Sequence, residues 1–207
     1  MPDFSLEHTL IARHGGPVAG VDEVGRGPWA GPVVTAAVVL APDCPHDVLD
    51  AIQDSKALKP AEREALALVL PRHAAIGIAA ASAGEVDRLN VLAATMLAMQ
   101  RAVLALPRRP AAVLVDGNQL PALPCPALPA VKGDARSLSI AAASIMAKVT
   151  RDRLMTQLAR RYPAYGWERN AGYGTKAHQA GLAAAGVSPH HRRSFAPVRA
   201  LLSQLGR

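Results

Sequence analysis

Between residues 74 and 115 the hydropathy pattern changes period twice, and that alternation limits the fold more than any other feature of the chain. Ala74–Ala81 (AAIGIAAA) is an apolar run of strand length. Ser82, with Glu85 three residues on, is a capping-box candidate. Behind it Val86, Leu89, Leu92, Met96, Met99, Val103 and Leu106 recur at spacings of three and four, which predicts one long amphipathic helix stopped by Pro107. Ala111–Val115 then returns to a buried strand that ends in Asp116-Gly117. Strand, helix and strand in this order predict an α/β domain with a mixed sheet.

The rest of the chain fits that plan. Val18–Val24 and Val33–Leu40 read as two strands joined by a Gly/Pro loop. A short helix follows Pro60 and ends at Pro71. Residues 121–131 are Pro-rich and extended, with an edge strand, and a long helix runs from Ser137 to about Arg161. A Gly/Tyr loop (162–174) and two short helices close the chain, and residues 1–16 read as a polar lead-in. The expectation is one domain over 1–207, with a core at about 17–160 and a basic helical extension at about 161–207.

Charge narrows the class of partner. The 207 residues carry a net +7, but residues 1–131 have a net of −3 and residues 132–207 a net of +10. A basic segment beside a nearly neutral body suits a polyanion such as nucleic acid, although a solvated basic face has the same composition. The two cysteines, Cys44 and Cys125, make neither a zinc spacing nor a disulfide framework. No basic-then-apolar leader opens the chain and no run is long enough to span a bilayer, so a cytoplasmic protein without membrane contact is expected.

Against this background four acids stand out. Asp22 and Glu23 lie inside the apolar run VAGVDEVGRG, where two carboxylates are costly unless paired, protonated or bound to a metal. Asp116 ends an apolar strand, and Asp134 precedes a helix in Lys132-Gly133-Asp134. Taken singly, a turn aspartate explains Asp116 and a helix-flanking residue explains Asp134. Strand neighbours point to opposite faces, so Asp22 and Glu23 converge only if the strand ends or twists there, and Gly25 and Gly27 permit that. Carboxylates are the ligands Mg²⁺ and Mn²⁺ prefer, and no His/Cys set competes. Gly25-Arg26-Gly27 lets backbone approach a sugar, Ser55 and Lys56 suit a phosphate, and Tyr173 between two glycines suits stacking. Each of these also has a plainer reading as a loop, a helix lead-in or a packed turn.

Together these segments resemble ribonuclease HII, the type 2 ribonuclease H family. The matching pieces are Val21-Asp22-Glu23-Val24-Gly25-Arg26-Gly27-Pro28, Asp54-Ser55-Lys56, Val115-Asp116-Gly117-Asn118, Lys132-Gly133-Asp134, AAASIMAKVTRDR (141–153), Gly172-Tyr173-Gly174-Thr175 and His191-Arg192-Arg193-Ser194-Phe195. They fall in family order over about 18–198. The resemblance implies a ribonuclease H fold with a C-terminal helical extension. It implies cleavage of RNA in RNA–DNA hybrids, and of duplex DNA 5′ of an embedded ribonucleotide, leaving 3′-hydroxyl and 5′-phosphate ends. By position Asp22, Glu23, Asp116 and Asp134 look like the catalytic carboxylates that hold two Mg²⁺ or Mn²⁺ ions. Gly25, Arg26 and Gly27 look like the loop that reads the ribose 2′-hydroxyl. Tyr173 looks like the tyrosine that stacks at the RNA–DNA junction, and Ser55 and Lys56 look like backbone contacts. A monomer is expected, and the chain end lacks a glutamine-plus-aromatic clamp-binding tail. Asn170-Ala171 departs from the lysine common before Gly-Tyr-Gly, which bears on one phosphate contact and not on the chemistry. Three rivals remain: a junction-resolving nuclease of the same fold class, a non-catalytic hybrid-binding protein and, furthest from the residues, a membrane-surface role, for which the basic residues lack an apolar partner face.

Overall fold

The computed structural model describes residues 1–53, 55 and 57–205. Among these the strands are β1 (Val18–Val24), β2 (Val33–Leu40), β3 (Ala74–Ala81), β4 (Ala112–Asp116) and β5 (Ala127–Ala130), in the order β3-β2-β1-β4-β5. β1 pairs antiparallel with β2 and parallel with β4, and β4 pairs parallel with β5, so the sheet is mixed as the alternating pattern predicts. β5 is the edge strand expected from the Pro-rich stretch.

The helices are α1 (Ser5–His14), α2 (His46–Ala51), α3 (Pro60–Val69), α4 (Ala83–Leu89), α5 (Val91–Leu104), α6 (Leu138–Arg161), α7 (Trp167–Asn170), α8 (Lys176–Ala185) and α9 (Ala196–Leu205). Two expectations change. Residues 1–16 contain a full helix, anchored by buried Glu7 and Leu10. The helix expected across 83–106 is two helices that break at Asn90, whose φ is +70°. The Asn90 side chain accepts from the N–H groups of Leu92 (2.9 Å) and Ala93 (3.1 Å), capping α5. None of the described helices is long and apolar enough to cross a membrane.

The chain forms two compact units. The first comprises residues 1–24, 34–80 and 96–149. Strand alternation divides its core in two. Ala19, Val21, Ala37, Val113 and Val115 pack with Met99, Ala102 and Val103 of α5. Ala36 and Val38 pack with Ala141, Ala142 and Ile145 of α6, while Val18 and Leu114 pack with Ile140. The start of α6 is capped from far away in sequence. Glu7 Oε1 accepts from Ser137 Oγ (2.7 Å) and from the Ser139 N–H (2.9 Å). A carboxylate there also meets the positive end of the helix dipole.

The second unit comprises residues 25–33, 81–95 and 150–207. The C-terminal region therefore forms a body together with the Gly/Pro loop and the α4 segment. Its core is built on Trp167, Tyr165, Met155, Leu182 and Val198. The aromatic residues of the chain, few in all, concentrate here.

Candidate active site

In the first unit, the parallel ladder between β1 and β4 ends at Val21↔Val115. Asp22 and Asp116 are the next residues on the two strands, so both stand where the ladder opens at the C-terminal strand ends. Such openings are where α/β sheets place ligands. β1 continues past this point only along β2, with Asp22 opposite Ala36 and Glu23 opposite Thr35. The strand therefore neither stops nor bulges at the acids. Asp22 and Glu23 follow one another on a continuous strand, and they come together with Asp116 just past the last β1–β4 pair.

The result is a cluster in which Asp22, Glu23 and Asp116 each offer a carboxylate oxygen within 4.8 Å of the others. Asp22 is 5% exposed, while Glu23 and Asp116 are half-buried. Burial, reinforced by the neighbouring charges of Glu23 and Asp116, pushes the Asp22 carboxyl well above its usual range. A hydrogen bond from the Ser144 hydroxyl and one from the Glu23 N–H, which donates to Asp22 Oδ1 at 2.7 Å, oppose that shift. Three hard oxygen donors crowded against one another under net repulsion fit a divalent cation well.

Asp116 is fixed by the segment that carries the fourth acid. The Gly133 N–H donates to Asp116 Oδ1 at 2.7 Å. A Cβ on Gly133 would meet Ile140 Cδ1 and crowd Ala130 Cβ and Asp116 Oδ1, so glycine gives this amide its close approach to the carboxylate without moving its neighbours. Asp134 follows at once, buried in a single 3₁₀ turn ahead of α6. It stands outside the three-carboxylate cluster. Ser55 is buried, and its hydroxyl lies 2.8 Å from that of Ser144, the residue that bonds Asp22. Its side chain thus touches the support of the acid cluster. Lys56 lies outside the described residues.

The second unit holds the remaining candidates. Gly25 has a left-handed φ of +94°, and Arg26 and Gly27 are exposed. Tyr173 is 49% exposed, and a Cβ placed on Gly27 would rest 3.4 Å from its ring. Loop and tyrosine are therefore neighbours.

The Tyr173 main chain is held by a buried histidine relay that the sequence reading missed. Ser188 N–H and Oγ both bond His191 Nδ1 (3.0 and 2.8 Å), which makes Nδ1 an acceptor and puts the ring proton on Nε2. His191 Nε2 then donates to His178 Nε2 (3.0 Å), which also accepts from Trp167 Nε1 (3.1 Å). That leaves His178 Nδ1 to donate to the Tyr173 carbonyl at 2.9 Å. Both rings are neutral, and burial pulls both below their ordinary range, His191 to about 4. The available signal was His190-His191 in a segment without acids, which points to packed rather than metal-binding imidazoles.

Comparison with known proteins agrees over nearly the whole chain. A family model for ribonuclease HII matches residues 19–198. The ribonuclease HII of Granulibacter bethesdensis is 59% identical over 206 residues, covering 98% of this chain and 92% of that protein. The crystal structure of ribonuclease H2 from Pyrococcus horikoshii aligns with a TM-score of 0.78 at 27% identity, covering 92% of this chain and 99% of that one. The structure of Bst-RNase HIII in complex with Mn²⁺ aligns with a TM-score of 0.69 at 20% identity, over 91% of this chain and 70% of that one, and shares the fold.

Proposed function

The chain belongs to the ribonuclease HII family, and from that premise we propose that it is a divalent-metal endoribonuclease that cuts the RNA strand of RNA–DNA hybrids and cuts duplex DNA 5′ of an embedded ribonucleotide. The observation that carries this reading is the acid cluster: three carboxylates within 4.8 Å at the open end of a parallel ladder, one of them buried. Acids concentrated at one strand end of a basic protein are the donor set that a divalent cation would take.

Asp22, Glu23 and Asp116 would hold the metal, joined by Asp134 from the turn whose Gly133 amide fixes Asp116. A pair of Mg²⁺ or Mn²⁺ ions held there would supply Lewis-acid chemistry, making a water more acidic and offsetting negative charge on a leaving oxygen. Ser144, backed by Ser55, keeps Asp22 directed at the cluster. Gly25, Arg26 and Gly27, which follow Glu23 closely in the chain, contact the ribose 2′-hydroxyl with backbone amides, and Arg26 adds a charge for the adjacent phosphate. Tyr173, exposed beside Gly27, stacks on the neighbouring sugar. Lys56 would contact the phosphate backbone, whereas the Ser55 hydroxyl expected to join it is buried against Ser144 and supports the acid cluster instead.

The test is a duplex with one ribonucleotide and its 2′-fluoro counterpart. The expected result is a cut on the 5′ side of the ribonucleotide whatever the base, with 3′-hydroxyl and 5′-phosphate ends, and a sharp fall in rate for 2′-fluoro. Equal rates on both, or preferential cutting of a four-way junction, would overturn the reading. Binding of hybrid without metal-dependent cleavage would turn it toward a non-catalytic hybrid-binding role.

A further inference from the structure

The loop Gly25–Pro32 sits on two arginines that are buried almost completely, Arg151 at 1% and Arg192 at 0% exposure. Arg151 donates from Nε to the Pro32 carbonyl (2.9 Å), from Nη2 to the Ala30 carbonyl (3.1 Å) and from Nη1 to the Ala171 carbonyl (2.8 Å). Arg192 donates from Nε to the Gly31 carbonyl (3.0 Å), from Nη1 to the Arg26 carbonyl (2.8 Å) and from Nη2 to the Gly25 carbonyl. All three nitrogens of each guanidinium are thus spent on main chain. The loop is tied further by Trp29 N–H to the Gly172 carbonyl (2.8 Å) and Gly31 N–H to the His190 carbonyl (2.9 Å).

This arrangement dictates where the loop's amides point. In a trans peptide the N–H is directed opposite to the C=O of the same unit. With the Gly25 and Arg26 carbonyls turned onto Arg192, the N–H groups of Arg26 and Gly27 face away from it. The glycines divide the work. A Cβ on Gly25 would collide with Arg151 Nε, whereas one on Gly27 would meet only the Tyr173 ring at ordinary contact distance. Gly25 is therefore demanded by the arginine behind the loop, and Gly27 leaves room on the outer side. Burial, then repulsion from Arg151, lowers Arg192 to about 9, which still leaves it cationic at neutral pH.

We propose that Arg151 and Arg192 are positioning residues for sugar discrimination: they hold the Gly25–Pro32 carbonyls inward, so that consecutive amides are presented to the 2′-hydroxyl, and they bind no phosphate themselves. This rests on the reading of Gly25-Arg26-Gly27 as the sugar contact. A guanidinium is required because three carbonyls in different directions need a planar fork, which an ammonium on a flexible stem does not supply.

The experiment uses Arg151→Lys and Arg192→Lys, which keep the charge, and Arg192→Ala, on the full chain. On the single-ribonucleotide duplex kcat/KM should fall about tenfold or more in the Lys variants, as expected for displaced contact groups. The fall should be smaller on a long RNA–DNA hybrid. Calorimetric Mn²⁺ titration of these variants without nucleic acid should match the wild type. The salt slope of duplex binding by Arg192→Ala should be unchanged, and millimolar guanidinium, but not sodium chloride at equal ionic strength, should restore its cleavage.

Full kcat/KM and unchanged substrate preference in both Lys variants would overturn the inference. So would a salt slope reduced by about 0.9 in Arg192→Ala, the signature of a lost phosphate contact. If Arg192→Ala fails to fold, the Lys variants decide. Wild-type protein that cuts the 2′-fluoro duplex as fast as the ribonucleotide duplex would overturn the underlying loop reading instead, and does so without any variant.

Discussion

Asp22 is a carboxylate that the fold both needs and opposes. Burial and two like charges disfavour its ionised form, and the Ser144 hydroxyl and Glu23 amide only partly offset them. Without metal the cluster is a local source of instability. Asp22→Asn should remove the repulsion and hold or raise the thermal midpoint of the metal-free protein, by roughly 2–4 °C for each 1 kcal/mol relieved. The same change, like Asp116→Asn, should abolish cleavage at saturating Mg²⁺, and it should eliminate the stabilisation by added Mn²⁺ that the wild type is expected to show. Scanning calorimetry with and without Mn²⁺, beside a cleavage assay, checks both halves. Near-wild-type turnover by both variants, with folding verified, would remove these residues from the metal site.

At the scale of elements, the buried His178–His191 relay makes the second unit acid-sensitive. The ordinary histidine value is 6.5 and His191 in the fold lies near 4, so the unfolded chain binds a proton that the folded chain refuses. The contribution of this residue to stability is complete above about pH 6.5 and is lost as the pH falls toward 4. His178, also lowered by burial, acts in the same direction. Urea midpoints should therefore drop across that window, and the drop should be shallower in His191→Asn. An identical slope in the variant would show that other groups set it. The break at Asn90 belongs to this scale too. The apolar spacing from Val86 to Leu106 runs through it unbroken, so periodicity alone reads one helix. What the periodicity does not register is a side chain leaving the helical path to cap the next turn.

For the whole molecule, the net +10 of residues 132–207 overstates the charge offered to a polyanion. Arg151 and Arg192 are buried and committed to carbonyls. Arg153, Arg160, Arg161, Arg169, Lys176, Arg193 and Arg199 are exposed in the second unit. Binding of duplex in the absence of metal, measured by fluorescence anisotropy, should weaken with salt by about 0.9 log units per phosphate contact per log unit of salt. A flat dependence would remove the electrostatic account of binding.

The chain alone determined the alternation of strand and helix, the mixed sheet, and the acids worth suspecting, because burial period and misplaced charge are local properties written residue by residue. It also singled out Gly25-Arg26-Gly27 and Tyr173 as candidates for sugar contact and stacking, because glycines flanking a charge or an aromatic ring are a local pattern. Tertiary structure alone decided how Asp22 and Glu23 meet, since that depends on a ladder between β1 and β4 ending at Val21↔Val115. It alone turned Ser55 toward Ser144 and Glu7 toward the start of α6. It alone buried two arginines of a basic segment beneath a loop more than 100 residues away. These outcomes depend on which distant backbone groups arrive beside a side chain, and local periodicity carries no record of that.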